Sequence, residues 1–232
     1  MSVRNVAEAR LAATAGVHIV DIKEPSRGSL GKADTHTIQK IVTELKMTFP
    51  SMAVSAAWGE LNELTAKEVA VPQLNYIKLG LAGMRSEAAW RERWHVARQK
   101  LLPDCARGDR PPGWIAVVYV DAMSADAPLI DDIMTAAIET RCAGVLFDTY
   151  QKSGGGLTDF ISLDELGRWI ETLHANGLMG IAAGKVQRQD LRELGRTGCD
   201  VVAVRSAACL GNDRHASLDP TAIQRLLEEC QQ

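Results

Sequence analysis

An α/β barrel is the fold class that this sequence predicts, on two observations. Seven short apolar segments rich in β-branched residues alternate strictly with segments of helical period, which is typical of parallel strands joined by right-handed crossovers. A helical segment precedes the first of these strands, so an eighth strand has only Met1 to Arg4 to occupy. We therefore predict a TIM-type (β/α)8 barrel with its first strand shortened or missing. An open doubly wound sheet is the alternative, although the GxGxxG often found after its first strand is absent.

The first half of the chain is predicted to begin with a helix, followed by three strands that are each followed by a helix. Val3 to Ala15 has apolar residues on one face, and Gly16 is suited to end that helix. The apolar run from Val17 to Ile22 predicts a buried strand, and Pro25 begins the loop after it. Further helices are predicted over 36–46, 61–71 and 86–102, and further strands over 52–57 and 75–80.

The second half repeats this alternation after a charged, proline-containing connection over 103–113. Ser162 followed by Glu165 has the spacing of a helix-capping box. Strands are predicted over 114–122, 144–148, 178–183 and 200–205, and helices over 128–141, 163–176, 187–195 and 219–230. A length of 232 residues suits one barrel, so we treat residues 1–232 as a single domain.

Composition restricts the class of function. A net charge of -3 gives no electrostatic reason to expect nucleic acid or an anionic membrane as partner, which leaves small molecules as the expected substrates. The five cysteines form no CxxC or Cys/His cluster, which argues against a disulfide framework and against a zinc site, and favours a reducing compartment. No signal-like apolar segment and no run of about 18 apolar residues appears, so we expect a cytoplasmic protein.

Polar side chains collect at the predicted carboxyl ends of the strands, where barrel enzymes carry their working residues. Asp21 and Lys23 lie two apart on one strand and therefore share a face. A solvated ion pair is the alternative interpretation of any one such residue. Their convergence from several strands favours an active site, and the group is Asp21, Lys23, Ser55, Lys78, Asp121, Asp148, Lys152, Lys185 and Arg205.

The lysines in this group indicate Schiff-base chemistry of the aldolase kind. A neutral lysine amine attacks carbonyl groups, and burial or a neighbouring cation lowers its pKa enough to populate that amine. Lys23 and Lys78 can exert this effect on each other, while Asp21 or Asp148 moves protons. Carboxylates interleaved with this many cations are poor ligands for a divalent ion, so we expect no metal.

A phosphate site is predicted after the last two strands. Small residues there leave backbone N–H groups exposed, as in AAGK at 182–185 and VRSAAC at 204–209. Gly184 and Ser206 would offer such groups, and Lys185 and Arg205 would supply the positive charge. The alternative is that small residues only allow tight turns. The segment 211–215 is interpreted as a lid or as a polar loop.

Six segments carry a resemblance to a known family. They are DIKEPSRGSLG at 21–31, VSAAWGE at 54–60, YIKLGLAG at 76–83, FDTYQKSGGGLTDF at 147–160, AAGK at 182–185 and VVAVRSAACLGNDR at 201–214. Together they resemble the (5-formylfuran-3-yl)methyl phosphate synthase family of methanofuran biosynthesis, also called 4-(hydroxymethyl)-2-furancarboxaldehyde-phosphate synthase. The resemblance extends over nearly the whole chain. It departs at the start, where relatives have an apolar strand of the LLVS type and this chain has Met1-Ser2-Val3.

The resemblance implies a TIM barrel that condenses two molecules of glyceraldehyde 3-phosphate into a furan aldehyde phosphate, with no cofactor. It implies that Lys23 forms the Schiff base, that Lys78 transfers protons, and that Asp21 is the family's acidic residue before the Schiff-base lysine. Asp148 and Lys152 match an aspartate and a lysine that lie four residues apart in the family. Two rivals remain open, namely another Schiff-base triose-phosphate aldolase and a non-catalytic phosphosugar-binding barrel. If the first strand is missing, the edges at 17–23 and 200–205 need cover, so we expect a homo-oligomer.

Overall fold

A computed structural model of the chain describes residues 1–65, 73–101 and 111–230. Eight parallel strands follow one another in chain order around a single sheet. They are β1 Ser2–Val3, β2 Ile19–Ile22, β3 Ala53–Glu60, β4 Tyr76–Gly80, β5 Gly113–Tyr119, β6 Gly144–Asp148, β7 Met179–Ala182 and β8 Val201–Val202. This sequential order confirms the barrel and excludes the doubly wound alternative, whose strand order reverses at its centre. The first strand is present but has only two residues.

Helices follow the strands and form the outer layer. They are α1 Val6–Ala15, α2 Thr35–Thr48, α3 Trp90–Leu101, α4 Ala122–Ala125, α5 Ile130–Glu139, α6 Leu163–Ala175, α7 Leu191–Arg196 and α8 Pro220–Glu229. Gly16 ends α1 with φ 88°, and the Ser162 side chain caps α6, as predicted. The predicted helix over 61–71 is a 3-10 turn at Leu61–Glu63, and its end lies outside the described residues. Most of the predicted connection over 103–113 lies outside them too.

Two apolar layers hold the barrel. Inside the sheet, inward side chains of consecutive strands such as Val117, Leu146 and Ile181 form one cluster. Outside it, the opposite faces of the strands pack against the helices in a larger cluster. None of the described helices is long and apolar enough to span a membrane. The interior cluster fills the barrel below its mouth, so chemistry is confined to the carboxyl ends of the strands.

The seam between β8 and β1 is held by Arg205. Within the described chain only one backbone hydrogen bond joins these strands, from Ser2 N to Val204 O at 3.0 Å. The Arg205 side chain crosses the seam and donates to Glu8 Oε2 at 2.6 Å, to Glu8 Oε1 at 3.2 Å and to Ser2 O at 3.0 Å. One backbone hydrogen bond and the Arg205 side chain thus join β1 to the chain at the end of β8, and the expected homo-oligomer stays a prediction.

The remaining N–H groups of Arg205 hold the loop that follows β8. Its Nε donates to Arg214 O at 3.0 Å, and Nη2 donates to Ala216 O at 3.0 Å. A guanidinium has five N–H donors, and these two bonds together with the three at the seam use all of them. The expectation that Arg205 binds phosphate is therefore corrected: its charge is matched by Glu8, and its donors are committed within the protein.

Glu8→Gln should reduce the free energy of unfolding by about 3–5 kcal/mol, because a buried guanidinium loses its counter-charge. Glu44→Gln, which breaks the more exposed pair between Arg10 and Glu44, is the matched control and should change it by no more than about 1 kcal/mol. Urea unfolding of the three proteins measures both effects. Equal small losses for the two variants would contradict a structural role of Arg205 at the seam.

Candidate active site

A cavity of about 470 Å³ opens at the carboxyl ends of the strands. The lysines that the sequence indicated reach it from β2, β4 and the loops after β6 and β7. Two members of the predicted strand-end group, Ser55 and Asp121, are not among the described residues that line this cavity. The residues given a catalytic or phosphate-binding role from the sequence do line it, and they are Asp21, Lys23, Lys78, Asp148, Lys152, Gly184, Lys185, Arg205 and Ser206. The strand ends therefore bring together residues far apart in the chain.

Asp21 is the most tightly held carboxylate of the site. Its Oδ1 accepts hydrogen bonds from Lys78 Nζ and from Ser55 Oγ at 2.6 Å, and its Oδ2 accepts one from Ser2 Oγ at 3.0 Å. Burial alone would raise the pKa of Asp21, but the charges of Lys78 and Lys23 outweigh burial and lower it to about 2. Asp21 is therefore ionised at neutral pH, so it can accept a proton but has none to donate.

Asp148, at the end of β6, forms a second pair with Lys152. Asp148 Oδ1 accepts hydrogen bonds from Lys152 Nζ at 2.6 Å and from Thr149 N at 2.8 Å, and Oδ2 accepts one from Ser29 Oγ at 3.1 Å. Burial opposes ionisation here too, but the charges of Lys152 and Lys23 prevail and lower the pKa of Asp148. The spacing of four residues thus produces an ion pair between the buried Asp148 and the half-buried Lys152, and both charges act on Lys23.

Lys23 differs from Lys78 and Lys152 because it forms no ion pair with any described residue. Its Nζ donates to the backbone carbonyl of Ser29 at 3.3 Å. Burial lowers the pKa of Lys23 to about 8; the carboxylates Asp148 and Asp21 partly oppose this shift, and the two other lysines add to it. A fraction of Lys23 is therefore the neutral amine near neutral pH, as a Schiff-base nucleophile must be.

The predicted phosphate end is formed by the loops after β7 and β8. Gly184 has φ 100°, and a Cβ there would lie 3.0 Å from the backbone nitrogen of Thr149, so the close approach of these loops requires glycine. Lys185 is exposed at the rim, where its Nζ contacts Gly154 O. Ser206 begins a 3-10 turn at the cavity wall. Arg205 lines the same wall, but its N–H groups donate to Glu8 and to backbone carbonyls of the protein.

Arg214 is the cation that sequence reasoning missed. It lies in the segment 211–215, lines the cavity, and donates from Nη2 to Pro25 O at 3.2 Å and to Gly28 O at 3.1 Å. Its Nε is buried, and no described residue gives it a hydrogen-bond partner. These contacts connect the loop after β8 to the loop after β2. The lid interpretation of 211–215 is thus favoured by contacts that no sequence pattern signals.

Three serines among the described residues donate hydrogen bonds to the carboxylates of Asp21 and Asp148, and sequence reasoning singled out only Ser55 among them. Ser2 and Ser55 occupy strand positions in register with Asp21 on either side of β2. Ser29, in the loop after β2, reaches Asp148 and the carbonyl of Thr149. A serine at such positions has no distinctive local pattern, and only the register between strands identifies its partner.

Comparison with known proteins gives consistent relatives. A model of the 4-HFC-P synthase family matches residues 1–227. The chain is 31% identical over 241 residues to the (5-formylfuran-3-yl)methyl phosphate synthase of Methanococcus aeolicus, covering 100% of this chain and 98% of the relative. It is 33% identical over 223 residues to the enzyme of that name from Methanobrevibacter smithii, covering 93% of this chain and 91% of the relative.

Solved structures share the fold at much lower identity. Thiamine phosphate pyrophosphorylase from Pyrococcus furiosus superposes with a TM-score of 0.58 at 15% identity, over 97% of this chain and 89% of that chain. The 3-hexulose-6-phosphate synthase from Salmonella typhimurium gives 0.58 at 13% identity, over 99% and 96%. These likenesses concern the barrel alone. The match of the family model and of full-length relatives shows that this chain belongs to the (5-formylfuran-3-yl)methyl phosphate synthase family of enzymes.

Proposed function

We propose that the protein condenses two molecules of glyceraldehyde 3-phosphate into (5-formylfuran-3-yl)methyl phosphate through a Schiff base on Lys23, with loss of phosphate and water. The observation that carries the proposal is Lys23 itself: it is a lysine of pKa about 8, without an ion pair among the described residues, between two lysine–carboxylate pairs. The family of the chain supports the same reaction.

The first steps follow from these charges. One triose is isomerised to its keto form, and the neutral amine of Lys23 adds to the keto carbon; water leaves to give the imine. The protonated imine accepts the electron pair of a neighbouring C–H bond when the proton is removed, which gives an enamine. Its carbon then attacks the aldehyde of the second triose. The ionised carboxylates of Asp21 and Asp148 are the bases available near Lys23, and Lys78 and Lys152 return protons.

The second group of steps removes phosphate and water and closes the ring. We propose that Gly184, Lys185 and Ser206 hold a triose phosphate at the rim, and that Arg214 takes over the role first expected of Arg205. Lys152 lines the same cavity, and we propose that it contacts the second phosphate. The imine serves as the electron sink, so this sequence of steps draws on no group beyond the chain's own side chains.

Two rival functions are separated by one experiment. Glyceraldehyde 3-phosphate alone is incubated with the enzyme, and the products are identified by mass spectrometry and by ultraviolet absorption. The proposed enzyme yields a furan aldehyde that absorbs in the near ultraviolet together with inorganic phosphate. Another Schiff-base aldolase would give a non-aromatic adduct, and a phosphosugar-binding barrel would give no product while still binding the triose phosphate. Either of these results would reject the proposal.

Lys23→Arg should abolish the covalent adduct, because arginine keeps the positive charge but cannot form the imine. Incubation of the wild-type enzyme with glyceraldehyde 3-phosphate and borohydride should leave a reduced adduct on the peptide that contains Lys23. Lys40→Arg, at an exposed position on α2, is the matched control and should behave as wild type. An adduct located on Lys78, or furan formation by Lys23→Arg at a comparable rate, would refute this assignment.

The rate of adduct formation should rise with pH and reach half of its plateau near pH 8. The reason is the pKa of Lys23, which burial lowers to about 8, so the neutral amine increases as pH passes through that value. Initial rates of trapping with cyanoborohydride between about pH 6 and about pH 9.5 measure the profile. A rate that is still rising steeply at the upper end of this range, as an ordinary lysine pKa of about 10.4 would give, would show that Lys23 is not perturbed as proposed.

A further inference from the structure

Asp121 is a buried carboxylate that does not serve the helix it precedes. It stands immediately before α4 Ala122–Ala125, where an aspartate usually caps the helix with its side chain, yet it makes no such bond. Instead, its Oδ1 accepts a hydrogen bond from Tyr150 N at 2.7 Å and its Oδ2 accepts one from Gln151 N at 2.9 Å. Both carboxylate oxygens thus accept hydrogen bonds from the loop after β6, and only 5% of Asp121 is exposed.

A second contact holds this loop from the same side of the barrel. The ring of Tyr150 lies edge-on against that of Tyr119, with 5.3 Å between centroids. Tyr119, at the end of β5, donates its hydroxyl to Glu60 at the end of β3, and Glu60 also accepts from Ala82 N at 2.8 Å. The loop after β6 is therefore held at its Tyr150 and Gln151 positions by side chains of other strands.

Lys152 depends on this loop for its position. All hydrogen bonds of its ammonium in the described structure go to the turn that carries it: to Asp148 Oδ1, to the Thr149 carbonyl, and to Thr149 Oγ1 at 3.3 Å. No other strand holds the Lys152 side chain directly. The contacts that fix the backbone of residues 149–151 therefore also set the position of the Lys152 ammonium relative to Lys23.

We propose that Asp121 is a positioning residue, which fixes the turn over residues 149–151 and so holds the ammonium of Lys152 against Asp148 beside the reacting amine. Asp121 is not among the described residues that line the cavity, and it acts through Lys152. The inference rests on the proposed function only in taking Lys23 as the reacting amine. The strand-end pattern included Asp121 in the candidate group without a role, and the inference gives it one that the family resemblance does not state.

The expected effect on Lys23 follows from the charges that face it. These are the carboxylates Asp148 and Asp21, which raise its pKa, and the ammonium groups Lys152 and Lys78, which lower it. The α-amino group of Met1 also interacts with Lys23, and burial lowers the pKa of that amino group to about 6. If the turn loosens, Lys152 moves away, and the charge of Asp148 is no longer compensated. Both changes favour the protonated form of Lys23, so its titration moves to higher pH.

The test is Asp121→Asn, which keeps one acceptor oxygen and replaces the other with an NH2 group that cannot accept from Gln151 N. Competitive labelling with acetic anhydride, read on the Lys23 peptide by mass spectrometry, follows the titration of Lys23 without any substrate. We expect the labelling curve to move to higher pH, with roughly 3–10-fold less labelling at pH 7. Hydrogen exchange at Tyr150 and Gln151 should accelerate. Asp131→Asn, on the exposed first turn of α5, is the control and should match wild type.

Lys152→Met provides the second arm, because it removes the ammonium directly. It should move the Lys23 labelling curve in the same direction, and Asp121→Asn should add nothing further in the double variant if Asp121 acts through Lys152. The inference is overturned if Asp121→Asn leaves hydrogen exchange unchanged, or if it accelerates exchange without moving the labelling curve of Lys23. It is also overturned if the shifts of the two single variants add in the double variant. If Asp121→Asn does not fold, an unmoved curve in Lys152→Met overturns it. Because labelling needs no triose, a failed furan assay in the wild type rejects the proposed function without deciding this one.

Discussion

The buried ion pair between Asp21 and Lys78 is the interaction on which the mouth of this barrel depends. Removing both charges from water is costly, and the pair is kept by two serine hydroxyls that satisfy the carboxylate from the neighbouring strands. Asp148 and Lys152 repeat the arrangement across the cavity. Two carboxylates thus pair with Lys78 and Lys152, and Lys23 between them forms no ion pair with any described residue. The amine of Lys23 becomes available as a nucleophile chiefly because burial lowers its pKa to about 8.

The short strands β1 and β8 have a consequence for the phosphate end of the site. With two residues each, they offer too little backbone to close the barrel by a ladder, and the Arg205–Glu8 pair takes over that task. An arginine at the carboxyl end of the last strand is then unavailable to substrate. The loop that Arg205 holds brings Arg214 over the cavity, so one arginine organises the seam while another faces the mouth.

Sequence reasoning succeeded where the physics is local. The alternation of strand and helix periods predicted the barrel, because a buried parallel strand and an amphipathic helix each leave their own pattern within a few residues. Asp21 and Lys23 were expected on one face for the same reason, and both line the cavity. Boundaries were less accurate: α4 begins inside the strand predicted over 114–122, and β3 extends to Glu60 past an irregularity in its pairing with β4.

The sequence by itself determined the fold class, the strand ends at which chemistry collects, and the family to which the chain belongs. Only the tertiary structure decided which lysine is paired and which is not, that Arg205 supports the seam, and that Asp121 holds the loop after β6. The physical reason is separation along the chain: Asp21 meets Lys78 across 57 residues, Arg205 meets Glu8 across 197, and Asp121 meets Gln151 across 30. Such partners are set by strand register and barrel closure, which no local pattern of residues records.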